Sequence, residues 1–245
     1  MKLIIDTDPG DDDIIAILLA LSWPDTQVLA YIASFGNVDV DNCYNNILKA
    51  YGVLDKHVKA CPESRERFGG LKHVATLIRG AEGPIEGPHP GDGAFFHGAD
   101  GGYLALYSID ALHSAYSLPP LAGLGNITTR YPDEFPIPEE ASISHLLKLA
   151  DKTTSYHQHI IDILSNAEDK SITWLVLGPL SSLAVALRHD PDLVKRKVER
   201  VVVMGGAIDV PGNAGPVSEW NIYAVSSLSS KVFPASSSLF FQVIR

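Results

Sequence analysis

The feature that most restricts this fold is a β-branched run, Leu3-Ile4-Ile5. It ends in Asp6-Thr7-Asp8-Pro9-Gly10-Asp11-Asp12-Asp13 and passes directly into the apolar stretch 14–21. Residues 2–7 read as a buried strand, short and apolar, stopped by the Pro9-Gly10 turn signal. Asp12 and Asp13 then stand at a helix start, where carboxylates meet the positive end of the helix dipole. Residues 14–22 supply that helix, which Trp23-Pro24 closes. The pattern continues with a strand over 27–35 that ends at Gly36-Asn37, a helix over 40–54, and a third strand over 58–61. This order predicts an α/β fold: a mostly parallel open sheet flanked by helices, with right-handed crossovers. Ligands in such sheets gather at the carboxyl ends of the strands, and Asp8 and Asn37 both fall there.

From 62 to 138 the pattern gives way to glycine, proline and histidine, and a stretch this long reads as a set of functional loops or as disorder. Helical patterns return at 144–150 and 157–166. A strand is predicted over 171–177, a turn at Gly178-Pro179, a helix over 180–187 and a buried strand over 200–204 that opens into Gly205-Gly206. The segment 225–245 is Ser-rich and resembles neither a terminal helix nor a closing strand. The predicted organisation is therefore one α/β domain over 1–224, with a divergent tail over 225–245.

A formal net charge of -10 argues against a nucleic-acid partner, which needs a basic face. No apolar run is long enough to span a bilayer, and acidic residues from Asp6 onward are unlike a signal peptide. Cys43 and Cys61 form neither a disulfide framework nor a metal cluster, which suits a reducing compartment. The expectation is a cytoplasmic protein that handles a small molecule.

Five carboxylates lie within the eight residues 6–13. Like charges at contact distance repel by about 1 kcal/mol per pair in water and by more where water is excluded. A solvated acidic turn that caps a helix would explain one or two such residues, not five behind a buried strand. An EF-hand loop fails, because its required Gly is Asp11 and its twelfth position is Ile17. What remains is a strand-end metal site, whose carboxylates converge on a hard cation from both sides of the Pro9-Gly10 turn. Two chemistries fit: phosphoryl transfer of the haloacid-dehalogenase type, with Asp6 as nucleophile and Mg²⁺ as clamp, or hydrolysis by a metal-activated water.

The string from Asp6 to Asp13 resembles the DxDPGxDD signature of the inosine/uridine-preferring nucleoside hydrolases. Other segments follow in the family's order. They are Gly36-Asn37, His97-Gly98-Ala99-Asp100-Gly101, Leu177-Gly178-Pro179-Leu180, Met204-Gly205-Gly206, Gly212-Asn213 and Glu219-Trp220-Asn221-Ile222-Tyr223-Ala224. The resemblance implies a Rossmann-related fold and an enzyme that cleaves the N-glycosidic bond of a ribonucleoside with a bound Ca²⁺. It makes Asp8 a metal ligand and the general base, Asp13 a second, bidentate ligand, and the Leu177 carbonyl a third. It assigns Asp12 and Asn221 to the ribose 2′- and 3′-hydroxyls, with Asn37 nearby, and Asn213 and Glu219 to the 5′-hydroxyl. Met204 would pack beneath the sugar, and His97 would lie near the base. Family members are commonly homo-oligomers.

The chain departs from the family after Ala224. The usual Asp-Pro continuation is replaced by Val225-Ser226-Ser227-Leu228, so the resemblance implies a C-terminally truncated member that lacks one acidic ligand and an adjacent His. Two outcomes stay open: an active nucleosidase, or an impaired ribose-binding remnant or unstable product. Purine and pyrimidine preference is not legible.

Overall fold

The computed structural model describes residues 1–85, 124, 127, 131–214, 216–225 and 240–244. Among these residues seven strands form one sheet: β1 (Lys2–Thr7), β2 (Gln27–Ala33), β3 (Ala75–Arg79), β4 (Leu147–Leu149), β5 (Ile172–Val176), β6 (Val198–Met204) and β7 (Phe240–Ile244). Their order is β4-β3-β2-β1-β5-β6-β7, and every neighbouring pair is parallel. The chain winds outward through β2, β3 and β4 and then returns to the other side of β1 as β5. That reversal leaves a crevice beyond the carboxyl ends of β1 and β5, the place where open α/β sheets bind ligands.

Alternation along β1 divides the core. Leu3 and Ile5 face α1 (Asp11–Ser22) and α2 (Val40–Ala60), with Ile17, Leu21, Ile47 and Tyr51 packed against them. Ile4 faces the opposite layer of α4 (Tyr156–Asn166), α5 (Ser181–His189) and α6 (Pro191–Lys197), among Trp174, Ile160, Leu183 and Val194. Because side chains alternate, Thr7 lies on the α1 side and Asp6 on the α5 side. Both helix layers follow from right-handed crossovers on either side of the reversal.

Several sequence expectations are corrected. Residues 58–61 are not a strand, since α2 runs on to Ala60 and its last turn carries the basic residues His57 and Lys59, favourable at the negative end of the dipole. Lys59 also pairs with Asp55 one turn back, at 2.6 Å. The true third strand, β3, lies inside the loop-rich stretch, where five residues carry too little periodicity to stand out. The helix expected over 144–150 is instead β4, preceded by the short α3 (Glu140–Ile143). Pairing with the β3 edge overrides the helical spacing of its leucines. The helix α6 was not anticipated; Asp190 caps it by accepting from the Leu193 N–H at 2.9 Å. The tail also contributes β7, whose Phe-Phe-Gln-Val-Ile sequence suits an edge strand and pairs with β6. No helix among the described residues is long and apolar enough to cross a membrane.

Candidate active site

The turn between β1 and α1 places two carboxylates side by side. Asp8 follows the last residue of β1, and Asp13 sits in the first turn of α1. Asp13 accepts from the Thr7 hydroxyl through Oδ1 at 2.5 Å and from the Gly10 N–H through Oδ2 at 3.2 Å. The second bond is half of a capping box. Gly10, at the N-cap, has no side-chain acceptor to return it.

Asp8 is wedged between the loops that leave β2 and β5. Its Oδ2 accepts from the Asn37 N–H at 2.7 Å, and the Asn37 side-chain amide donates to the Asp8 carbonyl at 3.1 Å. A Cβ on Gly36 would stand 2.0 Å from Asp8 Oδ2, and one on Gly178 would stand 2.5 Å from Oδ1. Both positions therefore require glycine, for close approach and not for a turn conformation. Asp8 and Asp13 are each only 2% exposed.

Burial and mutual repulsion dominate the electrostatics. Burial raises the Asp8 carboxyl well above the usual range, Asp13 and to a lesser extent Asp12 add to the rise, and the Asn37 amide opposes it. Burial likewise lifts Asp13 to about 6, against the Thr7 hydroxyl and with a contribution from Asp12. Asp6, also wholly buried, is pushed to about 7 by desolvation. Its Oδ1 accepts from Ser34 at 3.0 Å and Ser182 at 3.3 Å, and these two hydroxyls lie 3.0 Å from each other. The Asp6 carboxylate thus points into the α5 layer and ties β1, the end of β2 and the start of α5 together.

The ends of β5 and β6 form the other wall. Leu177 extends β5 by donating its N–H to the Asp6 carbonyl at 2.8 Å. The Leu177 carbonyl accepts from Asn221 Nδ2 at 2.9 Å, and the same nitrogen reaches the Met204 carbonyl at 3.1 Å. Asn221 is itself held by Glu219, which caps α7 (Trp220–Tyr223). Glu219 accepts from the Asn221 N–H at 3.0 Å and the Ile222 N–H at 3.3 Å, and from the Gly206 N–H at 2.9 Å. The exposed Asn213 accepts from the Trp220 N–H at 2.8 Å.

Direct hydrogen bonds therefore unite Asp8 and Asn37, and a second set unites Leu177, Met204, Asn221 and Glu219, with Asn213 bonded to the neighbouring Trp220 N–H. The two sets meet where Asp8 abuts Gly178, the neighbour of Leu177. Asp12 lies exposed beside Asp13. His97 lies outside the described residues.

Calcium is fitted by the donor set. Two buried carboxylates that repel each other, beside a main-chain carbonyl, offer the hard oxygens such a cation prefers. Among the described residues no three His, Cys, Asp or Glu side chains group as metal ligands, and the Leu177 carbonyl is a main-chain oxygen next to Gly178, which abuts Asp8. Sequence reasoning missed Ser34, Ser182 and Thr7, which hold the carboxylates, and Asn46, which holds the Pro9 carbonyl at 3.0 Å. Ser34 stands out only as a polar residue inside an apolar run, and Thr7, Asn46 and Ser182, each beside another polar residue, carry not even that signal.

The family model described as inosine-uridine preferring nucleoside hydrolase matches residues 3–225. A probable uridine nucleosidase 1 of Oryza sativa subsp. japonica is 28% identical over 232 residues, 95% of this chain and 55% of that relative. The inosine-uridine preferring nucleoside hydrolase of Leishmania major is 28% identical over 238 residues, 96% of this chain and 57% of its own. Among solved structures, an inosine-guanosine nucleoside hydrolase superimposes with a TM-score of 0.66 at 26% identity, covering 99% of this chain and 61% of that one. The chain spans about half the length of the curated relatives it matches.

Proposed function

This chain belongs to the inosine-uridine preferring nucleoside hydrolase family, and on that premise we propose that it hydrolyses the N-glycosidic bond of ribonucleosides to ribose and free base. The observation that carries the reading is the pair of buried carboxylates, Asp8 and Asp13, beside the Leu177 carbonyl at the point where the sheet order reverses. Asp8, Asp13 and the Leu177 carbonyl would hold Ca²⁺. The chemistry it would supply there is to lower the pKa of the attacking water and to offset the buried negative charge.

Asp8 is the general base. The Asn37 N–H fixes one of its oxygens, so the carboxylate is held in one orientation toward the water it would deprotonate. In the reaction the bond from C1′ to the base nitrogen breaks, and its electron pair leaves with the base. Water bonds to C1′, and Asp8 takes the proton that the water gives up. The departing base nitrogen takes up a proton from solvent and Asp8 returns its own, so the products are ribose and neutral base. Asp12 and Asn221 would orient the ribose hydroxyls, with Asn37 alongside, and so favour the flattened, oxocarbenium-like sugar. Met204 would support the sugar from below, and Asn213 and Glu219 would bound its 5′ end. His97 would stand near the base.

The phosphotransferase reading needs Asp6 as an exposed nucleophile. Its carboxylate is 0% exposed and bonded to Ser34 and Ser182, so it is not presented to a phosphoryl group.

The test is release of free base from inosine and from uridine by the purified chain in Ca²⁺, against Asp8→Asn, with Ca²⁺ binding followed by calorimetry. Release that Asp8→Asn abolishes supports the proposal. Calcium binding without release above the variant would leave a binding protein and sink the catalytic reading.

A further inference from the structure

Asn46 sits on α2 with its side chain fully buried, and its Nδ2 donates to the Pro9 carbonyl at 3.0 Å. That carbonyl belongs to the turn whose two sides carry Asp8 and Asp13. Lys49, one turn further along α2 and also buried, places its Nζ 3.3 Å from Asn46 Oδ1. An ammonium has donors and no acceptor, so the amide atom that faces it is oxygen. The NH₂ group is thereby directed at Pro9, and the orientation of the amide is set by chemistry.

Thr7 and Gly10 restrain Asp13 from within the β1–α1 unit itself, whereas Asn37 grips Asp8 and Asn46 grips Pro9 from outside it. Two buried like charges repel, and bonds inside the unit move with it when it opens. A hold from a separate helix does not. Asn37, which grips Asp8, lies in the loop that leads into α2, so that loop and the helix hold the turn at two successive residues, Asp8 and Pro9.

We propose that Asn46, oriented by Lys49, is a positioning residue that keeps the Pro9-Gly10 turn closed, so that the Asp8 and Asp13 carboxylates stay directed at one site. The inference rests on the metal-binding reading given above. It concerns a residue that touches neither the reacting atoms nor the cation and that acts through a main-chain carbonyl.

The experiment compares the full chain with Asn46→Ala and with Leu164→Ala, a core truncation in α4 on the opposite face of the sheet. Two quantities are read: affinity for Ca²⁺ alone by calorimetry, and hydrogen exchange of the Gly10 amide in chelator. Asn46→Ala is expected to weaken Ca²⁺ binding about tenfold or more, the usual effect of losing a group that orients a ligand. It should also speed Gly10 exchange, whereas Leu164→Ala lowers the melting temperature without changing either quantity. Should Asn46→Ala not fold, Lys49→Met, which leaves the amide in place but unoriented, is expected to shift both in the same direction.

Unchanged Gly10 exchange in the Asn46 variant overturns the proposal, as does an equal shift in Leu164→Ala. Unchanged Ca²⁺ affinity in a chain that binds Ca²⁺ overturns it as well. If the wild-type chain takes up no Ca²⁺, the metal reading fails separately, and Gly10 exchange alone decides the role of Asn46.

Discussion

Asn37 and Asp8 hold each other at two points, the Asn37 N–H on the Asp8 carboxylate at 2.7 Å and the Asn37 amide on the Asp8 carbonyl at 3.1 Å. One residue thus fixes both the side chain and the backbone of another that lies 29 positions away in sequence. Asn37→Ala keeps the first bond and loses the second, leaving the Asp8 carbonyl without that donor. The expected stability loss is about 1–3 kcal/mol, by denaturant unfolding. Base release should fall by more than that loss explains, because the Asp8 backbone then loses its anchor and the carboxylate shifts with it. Activity equal to wild type would contradict this.

Gly36 and Gly178 are predicted to tolerate no side chain. Alanine at either would drive Cβ into an Asp8 oxygen, so the carboxylate must move or the loops must part. Overpacking of this kind costs about 1–3 kcal/mol. Gly178→Ala should lose Ca²⁺ binding at temperatures where circular dichroism still reports a folded chain. Retained affinity in that variant would show that Asp8 is not held where the structure places it.

The buried carboxylates give stability a defined pH dependence. Asp6 titrates at about 7 and Asp13 at about 6 in the folded chain, against 3.8 for an unperturbed carboxyl. Both are raised, so only well below pH 3.8 are the folded and unfolded states protonated alike. As pH rises through the window up to about 7, the unfolded chain releases protons that the folded chain retains. Stability therefore falls across that window, with a slope of at most about 1.4 kcal/mol per pH unit for each group. In chelator the melting temperature should be higher at pH 5 than at pH 8. Asp6→Asn should flatten part of the decline, because Oδ1 can still accept from Ser34 and Ser182. A melting temperature that rises from pH 5 to pH 8 would refute this.

Calcium should offset that penalty. A ligand that binds only the folded state stabilises it by about 2.7 kcal/mol at one hundred times its dissociation constant. Thermal unfolding at pH 8 with and without chelator is therefore expected to differ, and Asp13→Asn should remove most of the difference. No effect of chelator would argue against a resident cation.

Leu177→Ala tests whether the backbone or the side chain matters at that position. A carbonyl ligand survives the change, so Ca²⁺ affinity should stay near wild type. Asn221→Ala, which loses the amide that bonds the Leu177 and Met204 carbonyls, should weaken it. The reverse order of effects, followed by calorimetry, would reject the main-chain assignment.

Much of the central fold was legible because its signals are local. The run Leu3-Ile4-Ile5, the break at Pro9-Gly10 and the apolar helix behind the carboxylates each rest on neighbours within a few residues. The misreadings share one cause. Residues 58–61 and 147–149 are short apolar runs whose state depends on what lies beside them. The first continues a helix, and the second completes an exposed edge of β3. The strand Phe240–Ile244 was missed for the same reason, since pairing with β6 is invisible to periodicity.

By itself the sequence determined that a strand would deliver Asp8 and a helix would present Asp13 at one turn, since strand propensity, turn chemistry and helix dipole all act within eleven residues. It determined the family as well, through motifs whose order survives along the chain. Only the tertiary structure decided which partners those carboxylates meet. Ser182 reaches Asp6 across 176 positions, Asn221 reaches the Leu177 carbonyl across 44, and Asn46 reaches Pro9 across 37. Those meetings follow from the sheet order, which sets β1 between β2 and β5, and from burial, which leaves each polar group there in need of a partner.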